Sequence, residues 1–253
     1  MKDIIDEFFV PIMFKGRMSD EDYQKIRPCI DAIDAFARSS NMSVYVIDYF
    51  KQNFLYVSKN PLLLNGHSPE EIARLGYMYY RMFVPETELE LLQEINRAGF
   101  SFYHNTSLED RMKYTISYDF HILNKNKRKI LINHKLTPMI LNPHGQIWLA
   151  MCTVTLSSRS LPGKITINKI DDDVEYVYSP QSKKWLLENV ILLSERETEI
   201  LRYSAQGLSN SEIAEKIFVD VNTIKFHKKN IFSTFNVHTI AEAVAFATNK
   251  NLI

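Results

Sequence analysis

The sequence predicts an α+β chain in two parts: an N-terminal antiparallel five-stranded sheet with helices, then a C-terminal all-α unit of four helices. Three observations lead there. In residues 42–156 the apolar side chains fall in short runs with the period of two that strands impose. From Leu193 onward they recur at three-and-four spacing, the period of helices. In that last stretch capping residues also mark four helix starts.

In chain order, residues 3–14 form a short amphipathic piece that Pro11 breaks or bends. A helix follows from about Asp20, capped by Ser19, with Ile26, Ile30, Ile33, Phe36 and Ala37 on one face; Pro28 is expected to divide it. These N-terminal helices, residues 1–39, carry an apolar stripe that something must cover. Strands are expected at residues 43–48 and 54–57. In residues 60–72, Ser68 caps a helix, Pro69 takes its first position and Glu71 closes the capping box. The run Met82-Phe83-Val84-Pro85-Glu86-Thr87-Glu88 leads into a helix that ends near Gly99. Ile116, Tyr118, Phe120 and Ile122 then alternate with Thr115, Ser117, Asp119 and His121, a strand with one wet face. Residues 129–136 and, after the turn Asn142-Pro143-His144-Gly145, residues 147–156 supply two more strands.

Two strands, several short helices and three strands in this order resemble a PAS domain, over residues 40–158. The run 60–72 is similar to that family's N-x-x-x-x-x-G-[YF]-S-x-E-E stretch, Pro85-Glu86-Thr87 sits where its P-E-D commonly falls, and His144-Gly145-Gln146-Ile147 matches the turn into its last strand. The resemblance implies that the first and last strands lie side by side at the centre of the sheet. The residues agree: Val44, Tyr45, Val46 and Ile47, and Ile147 through Cys152, are apolar on both faces, as strands buried on both sides are. The outer face at the sheet centre must then be covered by the N-terminal helices, a second subunit, or both. Residues 159–189 look like a hairpin, 164–170 and 174–178, followed by a third strand at 183–187. This segment lacks the glycine and serine of a flexible linker and reads as a structured β connector limiting how the two parts sit.

In residues 190–253, Ser194 with Glu197, Ser209 with Glu212 and Thr239 with Glu242 are capping boxes, and Asp220 is a further cap. Helices are expected at about 195–205, 210–218, 221–233 and 240–249, with Val219-Asp220 as the turn between the second and third. Two helices with a tight turn make a helix-turn-helix, whose second helix can enter the DNA major groove. With Ile224 and Ile231 inward, Lys225, Phe226, Lys228 and Lys229 point outward as a basic stripe with one aromatic. A lone stripe of this kind is ordinarily a solvated face. The stretch as a whole, however, resembles the LuxR-type DNA-binding domain, matching L-[ST]-x-R-E-x-E-[IV]-L, G-x-[ST]-N-x-E-I-A and T-[VI]-K-x-H-x-x-N-I nearly end to end.

That resemblance implies double-stranded DNA as partner. It places Thr223, His227 and Lys228 along phosphates and Lys225, Phe226 and Lys229 toward base edges, with Ser209 and Asn210 completing the DNA-facing set. It also implies a homodimer through the last helix, with Val244, Ala245 and Thr248 along a small-residue face, an inverted-repeat site and RNA polymerase as a further partner. The chain departs from the pattern at Thr234-Phe235-Asn236, where Lys usually precedes Leu-Gly, at Ile240, where Arg often stands, and at Asp220, whose carboxylate repels a phosphate. The domain's seven bases only balance its seven acids, so phosphate affinity is expected below that of more basic relatives.

The whole chain carries 30 basic and 30 acidic residues, so any attraction to nucleic acid must be local. Cys29 and Cys152 have neither zinc spacing nor a disulfide framework and read as small buried hydrophobes; no metal site is expected. No apolar run is long enough to span a bilayer and no signal-peptide layout opens the chain, which points to a cytoplasmic protein without a membrane partner. Walker loop, H-E-x-x-H, nucleophile elbow and dinucleotide fingerprint are all missing, so an enzyme is not expected. A phospho-receiver domain lacks its early acidic pair, and flavin-cysteinyl photochemistry lacks a cysteine between Cys29 and Cys152.

Period two places His134 on the inward face with Ile130, Ile132 and Leu136. Its ordinary role is a core residue satisfied by one hydrogen bond; the alternative presents it to a small-molecule ligand, or to haem, in a PAS cavity. His67 and His104 are rival haem ligands, and haem is not favoured. The sequence thus leads to a bacterial transcriptional regulator with a PAS sensor, against a constitutive DNA-binding protein whose PAS-like part serves only assembly.

Overall fold

The computed structural model describes residues 8, 14–40, 42–170, 172, 174–189, 193–250, 252 and 253. Most of the piece expected at residues 3–14 lies outside them. The chain divides into two compact units, residues 1–157 with 161–188, and residues 158–160 with 189–253.

In the first unit, helix α1 (Asp20–Ser39) begins at Ser19, whose hydroxyl accepts from the Asp22 amide in a capping box. It is one helix, with Pro28 inside it. The proline ring is exposed, and Ile26, Ile30 and Ile33 pack on the sheet on either side of it, so tertiary contact offsets the lost backbone bond. Strands β1 (Ser43–Asp48) and β2 (Asn53–Val57) form a hairpin whose turn is closed by the Asp48 carboxylate accepting from the Phe50 and Lys51 amides. Four helices follow: α2 (Pro61–Leu64), α3 (Pro69–Leu75), α4 (Met78–Phe83) and α5 (Glu86–Asn105). The last runs past the expected end at Gly99. That glycine is a packing position, where a Cβ would come within 3.2 Å of the Ile116 side chain.

Strands β3 (Tyr114–Leu123), β4 (Lys129–Leu141) and β5 (Ile147–Leu156) complete the PAS-like sheet, with β5 antiparallel to β1 at its centre. Tyr45 and Ile47 face the helices, whereas Val46 faces the other side with Trp148 and Leu149. Helix α1 covers that outer patch. Tyr23 meets Trp148 edge to face at 5.3 Å and donates to buried Asp48 at 2.5 Å, and Tyr56 donates to Asp34 at 3.0 Å.

Strands β6 (Ile165–Lys169), β7 (Val174–Ser179) and β8 (Lys184–Asn189) extend the sheet from the free edge of β3, and β6 buries Ile165 and Ile167 completely. Among the described residues the sheet thus has eight strands, not five, in the order β2-β1-β5-β4-β3-β6-β7-β8. An unpaired β3 edge would leave a row of backbone donors and acceptors open. Cys152 is buried as expected, but Cys29 lies on the exposed side of α1.

In the second unit, α6 (Glu195–Ala205), α7 (Asn210–Lys216), α8 (Val221–Phe235) and α9 (Ile240–Asn249) pack around Ile200, Leu201, Ile213, Ile224, Ile231 and Phe246. Ser194, Ser209 and Thr239 each accept from the amide three residues on, and Asp220 accepts from Asn222. Each cap stabilises its helix by about 1 kcal/mol. No described helix is long and apolar enough to cross a membrane.

Candidate nucleic-acid interface and internal cavity

Helices α7 and α8 are joined by Ile217-Phe218-Val219-Asp220. Phe218 takes the left-handed conformation at φ 55°, and the Val219 amide donates back to the Ala214 carbonyl at 3.0 Å, the reversal that ends a helix sharply. Asp220 then starts α8, which at 1.5 Å per residue is about 22 Å long.

Along α8 the burial follows the helical period. Ile224 and Ile231 are fully buried; Lys225, Phe226 and Lys229 are exposed; Thr223, His227 and Lys228 are half-buried on the flanks. Partial burial draws the Lys228 ammonium below the usual lysine value. Among the described residues no acid is ion-paired with Lys225, Lys228 or Lys229. Phe226 is 60% exposed, and its ring meets only the edge of His227 at 5.7 Å among the ring contacts described. Ser209 is exposed, its hydroxyl committed to the α7 cap, with Asn210 half-buried beside it. On α9, Ala245 and Thr248 are exposed and Val244 is half-buried, while Ala243, Phe246 and Ala247 face the core.

Residues 192–247 match the family profile described as bacterial regulatory proteins, luxR family. The second unit is a LuxR-type helix-turn-helix domain. The oxygen regulatory protein NreC of Staphylococcus aureus is 31% identical over 136 residues, 54% of this chain and 58% of that protein. The chain therefore spans little more than half the length of the curated relatives it matches. Among solved structures, the Vibrio cholerae VqmA dimer is 13% identical over 87% of each chain at a TM-score of 0.35. A PAS domain from Colwellia psychrerythraea is 18% identical over 54% of this chain and 98% of its own, at a TM-score of 0.37.

Next to this LuxR-type domain in sequence, the PAS-like unit contains a cavity of about 40 Å³. Phe8, Tyr49, Tyr77, Tyr80, Asn96 and Tyr118 are among its walls. Burial pushes the Tyr49, Tyr80 and Tyr118 hydroxyls well above the usual tyrosine value, so they stay un-ionised. The Tyr49 hydroxyl points toward Tyr77 but reaches no hydrogen-bond geometry.

His134 lies behind this wall rather than in it. It is 1% exposed, its Nε2 is 2.6 Å from the Tyr45 hydroxyl, its ring is 4.7 Å from that of Tyr118, and Nδ1 has no partner. Tyr45 in turn lies 2.6 Å from the Tyr80 hydroxyl. A haem does not fit a 40 Å³ space, far below the roughly 300–1,000 Å³ of ordinary ligand sites, and the Nε2 that would bind iron is engaged by Tyr45. His67 lies 3.6 Å from Glu71, and His121 Nδ1 lies 2.8 Å from Glu88. His104 sits exposed in the last turn of α5.

The tyrosine wall, Asn96 and Phe8 were not singled out by sequence reasoning. The one local signal was Tyr77-Met78-Tyr79-Tyr80, three tyrosines in four residues with no solvent-facing period.

Proposed function

We propose that this protein is a sequence-specific, DNA-binding transcriptional regulator in which the PAS-like unit takes up a cytoplasmic signal, a small molecule above all, and controls the LuxR-type domain. The observation that carries the reading is the face of α8: two exposed lysines without acidic partners among the described residues, and an exposed phenylalanine, on a helix introduced by a tight turn. Lys225 and Lys229 hydrogen-bond base edges, and Phe226 makes apolar contact with them, thymine methyl groups above all. Lys228, Thr223 and His227 lie along the phosphates, as do Ser209 and Asn210 at the start of α7.

One recognition helix covers only a few base pairs, so two copies are needed to define a site. The face of Val244, Ala245 and Thr248 joins them, and the site is an inverted repeat with half-sites about one helical turn apart. A mainly apolar cavity with a few placed polar groups supports the sensing half of the reading.

Sequencing the DNA fragments that the purified full chain retains from a random pool tests the DNA half. Enrichment of one inverted repeat is expected; retained fragments without a common sequence overturn it. A metabolite screen read by melting temperature tests the sensing half, since a ligand that binds only the folded chain must raise it.

A further inference from the structure

The cavity is already entered by the chain itself. Phe8 lies upstream of every PAS-like strand and helix, yet it is 5% exposed and stacks on Tyr80 at 5.7 Å with the planes 20° apart. It also meets Tyr77 at 5.6 Å, and the Asn96 side-chain amide donates to its carbonyl. A free ring of the same size makes the same contacts with Tyr77 and Tyr80.

We propose that the Phe8 ring stands in the place of a ligand, and that this ligand is a neutral, single-ring aromatic molecule with a hydrogen-bonding substituent, which binds by displacing Phe8. The inference rests on the reading of the PAS-like unit as a sensor.

Size, polarity and charge each narrow the ligand. The remaining 40 Å³ is far below the roughly 300–1,000 Å³ of ordinary ligand sites, so a ring enters only the volume that Phe8 vacates. Binding and displacement are then one event. The buried Tyr49 hydroxyl has no hydrogen bond, and a buried polar group in that state is costly until something pairs with it. A substituent on the ring supplies that pair. Among the described residues no ionised side chain lines the cavity, so a charged ligand would lose its hydration without gaining a counter-charge from them.

Titration calorimetry of the full chain with phenol, and with benzoate and benzylammonium as charged rings of like size, tests the proposal. Phenol is expected to bind the wild type, and to bind Phe8→Ala at least tenfold more tightly because no ring competes. Phe8→Leu, which keeps apolar volume without a flat ring, should fall between them and guards against a folding defect in the alanine variant. Benzoate and benzylammonium should bind none of these, and Tyr49→Phe should weaken phenol in both the wild-type and the alanine background.

In Phe8→Trp, phenol should move the indole emission to longer wavelength as the ring leaves the core. Phenol binding to Phe8→Ala with none to the wild type makes Phe8 a permanent core residue and overturns the proposal. Equal affinity for the two overturns it as well, as does tight binding of a charged ring. If another metabolite raises the melting temperature while phenol fails, sensing stands and this proposal falls. DNA retention by the same protein is a separate measurement that neither result decides.

Discussion

The Tyr45 hydroxyl and His134 Nε2, brought to 2.6 Å from strands β1 and β4 on either side of β5, form a buried hydrogen bond. With Nδ1 unpartnered, the imidazole is best satisfied as the tautomer that donates from Nε2 to Tyr45, because a bare acceptor is tolerated better than an orphaned donor. Protonation would add a second N–H with no acceptor and a charge in the core. Desolvation accordingly pulls His134 down to about 3.

A histidine held below its unfolded value of about 6.5 contributes stability that is complete above that pH and is lost as pH falls toward 3. Within that window the wild type should lose up to about 1.4 kcal/mol per pH unit from this group. Urea midpoints of wild type and His134→Gln between pH 7 and 4 measure it. Parallel curves would show that His134 is not the titrating group.

The lysines of α8 should separate by exposure. Lys225→Ala or Lys229→Ala is expected to weaken the preferred site by about 1 kcal/mol or more and to flatten its preference over other sequences. Lys228→Ala, on the half-buried flank, should weaken all DNA alike and reduce the salt slope by about one. Binding isotherms on specific and scrambled duplexes at several salt concentrations distinguish the two. If all three variants bind as the wild type does, α8 does not face the groove.

Ala245 is exposed on the small-residue face of α9. Ala245→Glu should put like charges across the two-fold contact and convert dimers on an inverted repeat into monomers on half-sites, with the fold unchanged. Sedimentation with labelled duplex reads the stoichiometry. Dimers that persist in the variant would place the contact elsewhere.

Phe218 is 94% exposed in a left-handed conformation, at a helix exit of the kind where Gly207 and Asn236 stand after α6 and α8. A bulky side chain there costs roughly 1–2 kcal/mol in backbone strain, and no burial of the ring offsets it. Phe218→Gly should therefore stabilise the domain by a few tenths to about 1 kcal/mol, after the greater freedom of glycine in the unfolded chain is subtracted. Denaturation of the variant checks the sign; a lowered midpoint would mean that the ring has a packing role.

The sequence by itself determined the parts of this protein whose physics is local. Capping boxes join residues three apart, so Ser19, Ser68, Ser194, Ser209 and Thr239 mark helix starts wherever the chain folds. The apolar faces of β1 and β5 showed that the sheet centre is buried on both sides, and the periodicity of α8 separated Ile224 and Ile231 from Lys225, Phe226 and Lys229. Contacts between residues far apart in sequence had no such signature. Only the tertiary structure decided that α1 covers the outer face and stays intact through Pro28. It also decided that β6 to β8 complete the edge of β3, and that Gly99 packs on Ile116 inside a continuing helix. The placement of His134 behind Tyr118 and of Phe8 against Tyr77 and Tyr80 is of the same kind. Period two states which face of a strand a residue occupies, but which side chains from other elements fill the space above that face is a matter of close packing among distant segments.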